Sequence, residues 1–86
     1  MIQFAICDDE PRMAREIAER LTEYMEEKHT AQYSVSSFSS GRQLLESGHG
    51  FDVVFLDIRM EQPDGMETAR LLRRRNSGSL LIFVTV

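Results

Sequence analysis

Three aspartates in this sequence each follow directly on an apolar run. Asp57 comes after "VVFL", and Asp8 and Asp9 come after "IQFAIC". A carboxylate can attack phosphorus as a nucleophile, and carboxylates are the ligands that a hard cation such as Mg²⁺ prefers. If the fold brings these acids together, their mutual repulsion favours a bound dication. The residue types therefore indicate a metal site with a candidate nucleophile beside it.

Apolar runs and amphipathic stretches alternate along the chain, and these elements must position the acids. The runs predict strands at residues 2–7 and 33–38, around Phe55, and at residues 80–86. Amphipathic patterns and capping residues predict helices from Pro11 to about Lys28, over residues 41–47, and after Asp64. A βαβαβαβ order predicts a parallel sheet with right-handed crossovers. All four strands then end at one shared edge.

At that edge the sequence places Asp8, Asp9, Asp57 and the hydroxyl of Thr85, which lies near the end of the fourth run. This arrangement predicts Mg²⁺ binding next to a position that a phosphoryl donor can reach. Simpler interpretations stay open. The acidic pair can be N-caps for the helix at Pro11, and Thr85 can be an ordinary strand residue.

Two further patterns carry structural expectations. The run at Val53–Leu56 is typical of a strand buried on both faces. The three arginines at 73–75 are typical of a solvated helix end, where they complement the helix dipole.

Composition limits the function classes. With 86 residues and 42% hydrophobic content, the sequence predicts one small domain. A net charge of −4 argues against direct nucleic-acid contact by this segment. The single cysteine, Cys7, excludes an internal disulfide, and no apolar leader or membrane span is visible. We expect a cytoplasmic domain without membrane contact.

Four segments in this order resemble the receiver domains of two-component response regulators: "CDDEP", "FSSGRQLLE", "FLDIRMEQPDGMETARLLR" and "IFVT". The resemblance covers the whole chain. It implies a flavodoxin-like (CheY-like) open α/β sheet with strand order 2-1-3-4-5.

The resemblance also implies the roles of individual residues. Asp57 is the expected phosphoacceptor, and Asp8 and Asp9 form the acidic pair, with Asp9 favoured as the direct Mg²⁺ ligand. The backbone carbonyl of Arg59 is the remaining expected ligand, and Thr85 is the expected switch hydroxyl.

The partners implied are a sensor histidine kinase and, in a full-length parent, a C-terminal DNA-binding output domain. The stretch "DIRMEQPDGMETA", with Glu61 where many receivers have proline, resembles receivers that precede a LytTR-type DNA-binding domain.

One departure from the family pattern concerns its conserved lysine, which lies after a fifth strand. The sequence ends at Val86, before a fourth helix, so the domain is expected to be incomplete, residues 1–86 being its N-terminal part. The fourth strand, residues 80–86, then has a bare edge. We expect this form to be a homodimer that pairs through that strand.

Other classes fit less well. A haloacid dehalogenase phosphatase needs a second acid two residues after its nucleophile, where this chain has Arg59. A flavin-binding module needs a Ser/Thr/Gly-rich phosphate loop, where this chain has "DDEP". The alternative that stays open is a receiver remnant that binds partners without being phosphorylated.

Overall fold

The computed structural model describes residues 1–28, 32–75 and 78–84. The elements in these residues alternate strictly between strand and helix, in the predicted order. They are β1 (Ile2–Cys7), α1 (Pro11–Lys28), β2 (Tyr33–Phe38), α2 (Gly41–Glu46), β3 (Val53–Asp57), α3 (Gly65–Arg75) and β4 (Leu80–Val84). The prediction for Thr85 lies outside the described residues.

The strands form one parallel sheet in the order β2-β1-β3-β4. In the register of this sheet, Cys7 at the end of β1 is opposite Phe38 of β2 and Leu56 of β3, and Asp57 is opposite Val84 of β4. The prediction of a parallel sheet with a shared carboxyl edge is therefore confirmed.

One face of the sheet packs against α2 and α3 and carries the main core. Alternate residues of a strand point to the same face, and those of β1 and β3 on this face are fully or almost fully buried. The core includes Ala5 and Cys7 of β1, Val54 and Leu56 of β3, Leu44 of α2, and Ala69 and Leu72 of α3. Burial of each large aliphatic side chain contributes about 1.5–3 kcal/mol.

The opposite face is less completely covered, and here one expectation is wrong. Ile6 is fully buried, but Val53 and Phe55 of β3 are only half-buried. On this side α1 contributes Ile17 and Leu21, which line an open apolar groove with Phe55. Strand β3 is thus buried on one face and half-buried on the other, because α1 does not reach across the whole sheet.

Strand β4 lies at the edge of the described sheet, with β3 as its partner. Leu80 is 58% exposed, and Ile82 and Phe83 are exposed as well. The bare apolar edge that the sequence predicts is therefore present in residues 80–84.

The helix caps agree with the capping patterns of the sequence. Ser40 Oγ accepts the Gln43 backbone N–H at 3.1 Å, at the start of α2. Asp64 Oδ1 accepts the Glu67 N–H at 2.9 Å, at the start of α3. Each cap satisfies a backbone donor of the first helical turn.

The arginines at the end of α3 are exposed to solvent, and Arg73 and Arg75 also donate hydrogen bonds to backbone carbonyls. All three are exposed, as predicted, but Arg73 donates to the Ser79 carbonyl and Arg75 donates to the Leu45 carbonyl of α2. Arg75 therefore connects α3 to the end of α2.

The long helix α1 is amphipathic, with Met25 buried against the rest of the domain. None of the helices in the described residues is long and apolar enough to cross a membrane.

Candidate functional site

The three aspartates singled out by the sequence meet at the carboxyl edge of the sheet. Asp8 and Asp9 directly follow β1, and Asp57 is the last residue of β3, the neighbouring strand. Each offers a carboxylate oxygen, and these oxygens lie within 4.8 Å of one another. Residues separated by almost fifty positions in sequence thus form one acidic cluster, which we call the acidic site.

The three carboxylates lie at different depths. Asp8 is buried, with 5% of its surface exposed, whereas Asp57 is half-buried and Asp9 is exposed. The acidic site is therefore closed at Asp8 and open to solvent at Asp9.

Hydrogen bonds on both sides hold Asp8 in place. Its backbone N–H donates to the Phe38 carbonyl at 3.1 Å, which extends the pairing of β1 with β2 by one step. Its carboxylate Oδ1 accepts the Glu10 backbone N–H at 2.9 Å. Because α1 begins at Pro11, this bond forms a turn ahead of the helix.

Burial raises the pKa of Asp8, and the negative charges of Asp57 and Asp9 add to this effect. The hydrogen bond from Glu10 acts in the opposite direction and lowers the pKa. A carboxylate in this position carries an unfavourable charge until a cation approaches.

Asp57 is held through its own following loop. Its Oδ1 accepts the Arg59 backbone N–H at 3.0 Å. The loop of residues 58–64 returns to α3, where the Gly65 N–H donates to the Ile58 carbonyl at 3.2 Å. A Cβ at Gly65 would overlap the backbone carbonyl oxygen of Asp57, so only glycine allows α3 to start this close to the acidic site.

Two sulfur-containing residues, Cys7 and Met60, lie beneath the acidic site. Cys7 is fully buried, and its Sγ donates to Met60 Sδ at 3.6 Å. Burial raises the pKa of Cys7 to about 12, and the charges of Asp8, Asp57 and Asp9 contribute to this shift. No local pattern of the sequence indicates a contact between residues this far apart.

The sequence-predicted site residues thus stand as follows. Asp8, Asp9 and Asp57 are brought together, and Arg59 is joined to Asp57 through its backbone N–H. The Arg59 carbonyl remains a predicted ligand, and Thr85 lies outside the described residues. Chemically, the cluster offers oxygen ligands to a hard cation and a half-buried carboxylate at a strand end.

Comparison with known proteins gives the family. The sequence pattern of the response regulator receiver domain matches residues 4–86. An uncharacterized response regulatory protein of Vibrio cholerae is 37% identical over 82 residues, which are 93% of this chain and 30% of that protein. The chain therefore spans about a third of the length of this relative.

Solved structures agree with this assignment. The receiver domain of DrrB, in its BeF3-activated form, has a TM-score of 0.81 at 23% identity, over 96% of this chain and 64% of that one. The response regulator TrrA of Thermotoga maritima, in complex with Mg²⁺-BeF, has a TM-score of 0.71 at 28% identity, over 96% and 68%. A complex of the histidine kinase ThkA with TrrA has a TM-score of 0.80 at 26% identity, over 100% and 70%.

The strand order, the acidic site at the carboxyl edge and the sequence match over residues 4–86 lead to one conclusion: the chain belongs to the response regulator receiver domain family.

Proposed function

We propose that the chain is the phosphoacceptor domain of a two-component response regulator and that Asp57 receives the phosphoryl group. The observation that carries this proposal is the position of Asp57, at the end of β3 and within 4.8 Å of the carboxylate oxygens of Asp8 and Asp9. In this proposal the domain accepts a phosphoryl group on its own aspartate and is not a classical enzyme.

The residues present fit Mg²⁺ as the cofactor. Three carboxylates, one of them buried with a raised pKa, form a donor set of oxygen atoms only, which suits a hard dication. We assign Asp9 and Asp57 as direct ligands, Asp8 as their acidic neighbour and the Arg59 backbone carbonyl as a further ligand. When bound, Mg²⁺ would neutralise charge on the phosphoryl oxygens.

The reaction follows from the chemistry of a carboxylate. An oxygen of Asp57 attacks phosphorus of a phosphohistidine, a new O–P bond forms, and the N–P bond breaks to release the imidazole of the donor. The product is an acyl phosphate on Asp57. The Arg59 N–H, which donates to Oδ1 at 3.0 Å, orients the carboxylate for this attack.

The partner proposed is a sensor histidine kinase. The complex of ThkA with TrrA, a structure of the same fold at 26% identity, supports this choice. We place the phosphotransfer in the cytoplasm, in keeping with the free thiol of Cys7.

The output proposed is a change of surface. Phosphorylation adds about −1.5 to −2 charge, which Thr85 would meet by hydrogen bonding, and the shift would be transmitted to a C-terminal DNA-binding domain of a full-length parent. A LytTR-type domain is our choice for that output.

Labelling tests the phosphoacceptor directly. Incubation of the full-length parent with Mg²⁺ and acetyl phosphate should add one acid-labile phosphoryl group, visible by intact mass spectrometry, and Asp57→Asn should abolish it. Asp52→Asn is the matched control, because Asp52 lies just before β3, at its other end, and its contact with the Gln3 N–H can be kept by asparagine. Undiminished labelling of Asp57→Asn would show that another residue is the acceptor.

A second candidate is a non-catalytic interaction module, and the exposed edge of β4 favours it. For the 86-residue chain we propose a homodimer in which two β4 strands pair antiparallel, which would cover Leu80, Ile82 and Phe83. Sedimentation at micromolar concentration tests this association. A monomer whose β4 amides exchange freely would contradict it, and phosphate labelling distinguishes the two functions.

A further inference from the structure

The loop of residues 58–64 has one buried side chain near its centre, that of Met60. Met60 is 7% exposed and belongs to the main core, whereas its neighbours Arg59 and Glu61 are exposed. Met60 is thus the most deeply buried residue of this loop, and Ile58, Pro63 and Asp64 are partly buried.

The attachment point is the end of β1. Met60 Sδ accepts the Cys7 thiol at 3.6 Å, and Cys7 is the last residue of β1, directly before Asp8 and Asp9. One side chain thus connects the loop after Asp57 with the segment that carries the other two acids.

The other attachments of the loop lie near its ends, among them the bond from the Thr68 hydroxyl to the Pro63 carbonyl at 3.4 Å. The Gly65 N–H donates to the Ile58 carbonyl at 3.2 Å, and the Arg59 N–H donates to Asp57 at 3.0 Å. None of these bonds fixes the loop relative to Asp8 and Asp9. The pairing of Cys7 with Leu56 fixes the end of β3 beside β1, and beyond that pairing the loop contacts β1 through Met60 and Cys7.

We propose that Met60 is a positioning residue of the acidic site: its buried side chain holds the backbone of the neighbouring Arg59 at a fixed separation from Asp8 and Asp9. The inference rests on the proposed function, because it concerns the metal affinity of that site. Removing a residue that orients metal ligands without touching the metal typically changes the metal affinity about 10–100-fold.

The volume of the side chain matters more than its sulfur atom. A thiol is a weak donor and a thioether a weak acceptor, so the S–H···S contact alone is a weak link. Close packing of the core makes the loop follow the length of the buried side chain. Leucine, similar in size and apolar, should therefore replace methionine here.

The test compares Met60→Ala with Met25→Ala. Met25 has the same 7% exposure but lies on α1, so the two substitutions remove the same buried atoms from different places. For each folded variant, Mg²⁺ affinity is measured by calorimetry, and amide hydrogen exchange is measured at Arg59. Met60→Val serves if the alanine variant does not fold.

We expect Met60→Ala to weaken Mg²⁺ binding about 10-fold and to speed exchange at Arg59 relative to global exchange, with little change in Met25→Ala and recovery in Met60→Leu. Equal effects of the two alanine variants, or unchanged exchange at Arg59, would overturn the positioning role. Failure of the proposed metal site would give a different result, in which the unsubstituted chain and Asp9→Ala bind Mg²⁺ equally poorly. This outcome does not depend on the exchange data, and it would overturn the role of Met60 as well.

Discussion

Gly65 lies with its Cα against the backbone carbonyl of Asp57, so the start of α3 and the end of β3 are in direct contact at the acidic site. There is no room between them for a side chain. The separation of these two elements, and hence the backbone position of the candidate phosphoacceptor, depends on the absence of a Cβ at this position.

We therefore expect Gly65→Ala to destabilise the domain by about 1–3 kcal/mol, because the added methyl group forces backbone to shift. Urea denaturation gives the free energy of unfolding, and amide chemical shifts at Asp57 and Ile58 report the local displacement. A variant as stable as the unsubstituted chain, with unchanged shifts, would contradict the close contact.

Gly48→Ala is the control for this substitution. Gly48 has a φ of 70° and open space around its Cα, so alanine would meet backbone strain there without a clash. It should lose about 1–2 kcal/mol of stability and leave the amide shifts at Asp57 unchanged.

Asp9→Ala should abolish or strongly weaken Mg²⁺ binding, because it removes the most exposed oxygen ligand of the acidic site. Calorimetry of the unsubstituted chain and the variant measures this. Glu61→Ala is the matched control, since it removes an exposed carboxylate from the neighbouring loop and should bind the ion as before. Equal affinities of Asp9→Ala and the unsubstituted chain would show that the ion does not use Asp9.

Asp8→Asn should stabilise the metal-free domain at neutral pH. The pKa of Asp8 is raised in the folded state, mainly by burial, so between 3.8 and the raised pKa the folded state binds more protons than the unfolded state. This group therefore lowers stability as the pH rises through that window. Asparagine keeps the oxygen that accepts the Glu10 N–H and removes the charge.

Urea titrations without metal, from about pH 4 to about pH 7, test this prediction; the range begins just above the ordinary pKa of Asp. The difference in unfolding free energy between the variant and the unsubstituted chain should grow as the pH rises. A constant difference across this range would mean that the charge of Asp8 is not penalised by the fold.

Cys7 should resist alkylation in the folded protein. The thiol is fully buried and its pKa is raised to about 12, so almost no accessible thiolate exists near neutral pH. Iodoacetamide at pH 8 should modify it only as fast as the domain unfolds, as followed by mass spectrometry with and without urea. Rapid modification under native conditions would contradict the burial.

The raised pKa of Cys7 also predicts a loss of stability at alkaline pH. Between the ordinary thiol pKa of 9.0 and about 12 the folded state retains a proton that the unfolded state loses, so the contribution of Cys7 to stability is lost as the pH rises through this range. Cys7→Ala should remove that part of the alkaline loss.

The sequence by itself determined the elements and the meeting of the acids. Each strand is an apolar run, each helix has an amphipathic period or a cap, and the strict alternation of the two requires a parallel sheet whose strands end together. Asp8 and Asp57 were therefore expected at one edge of the sheet, and the strand order implied by the family resemblance placed β1 beside β3, as the structure shows.

Only the tertiary structure decided how deeply each acid lies, how far β3 is covered and what supports the loop after Asp57. The run around Phe55 looks equally apolar on both faces, yet one face is only half-buried, because coverage depends on where α1 packs. The contacts of Met60 with Cys7 and of Arg75 with Leu45 likewise join segments far apart in the chain. Periodicity is a local property of a sequence, whereas such contacts depend on how whole elements pack together.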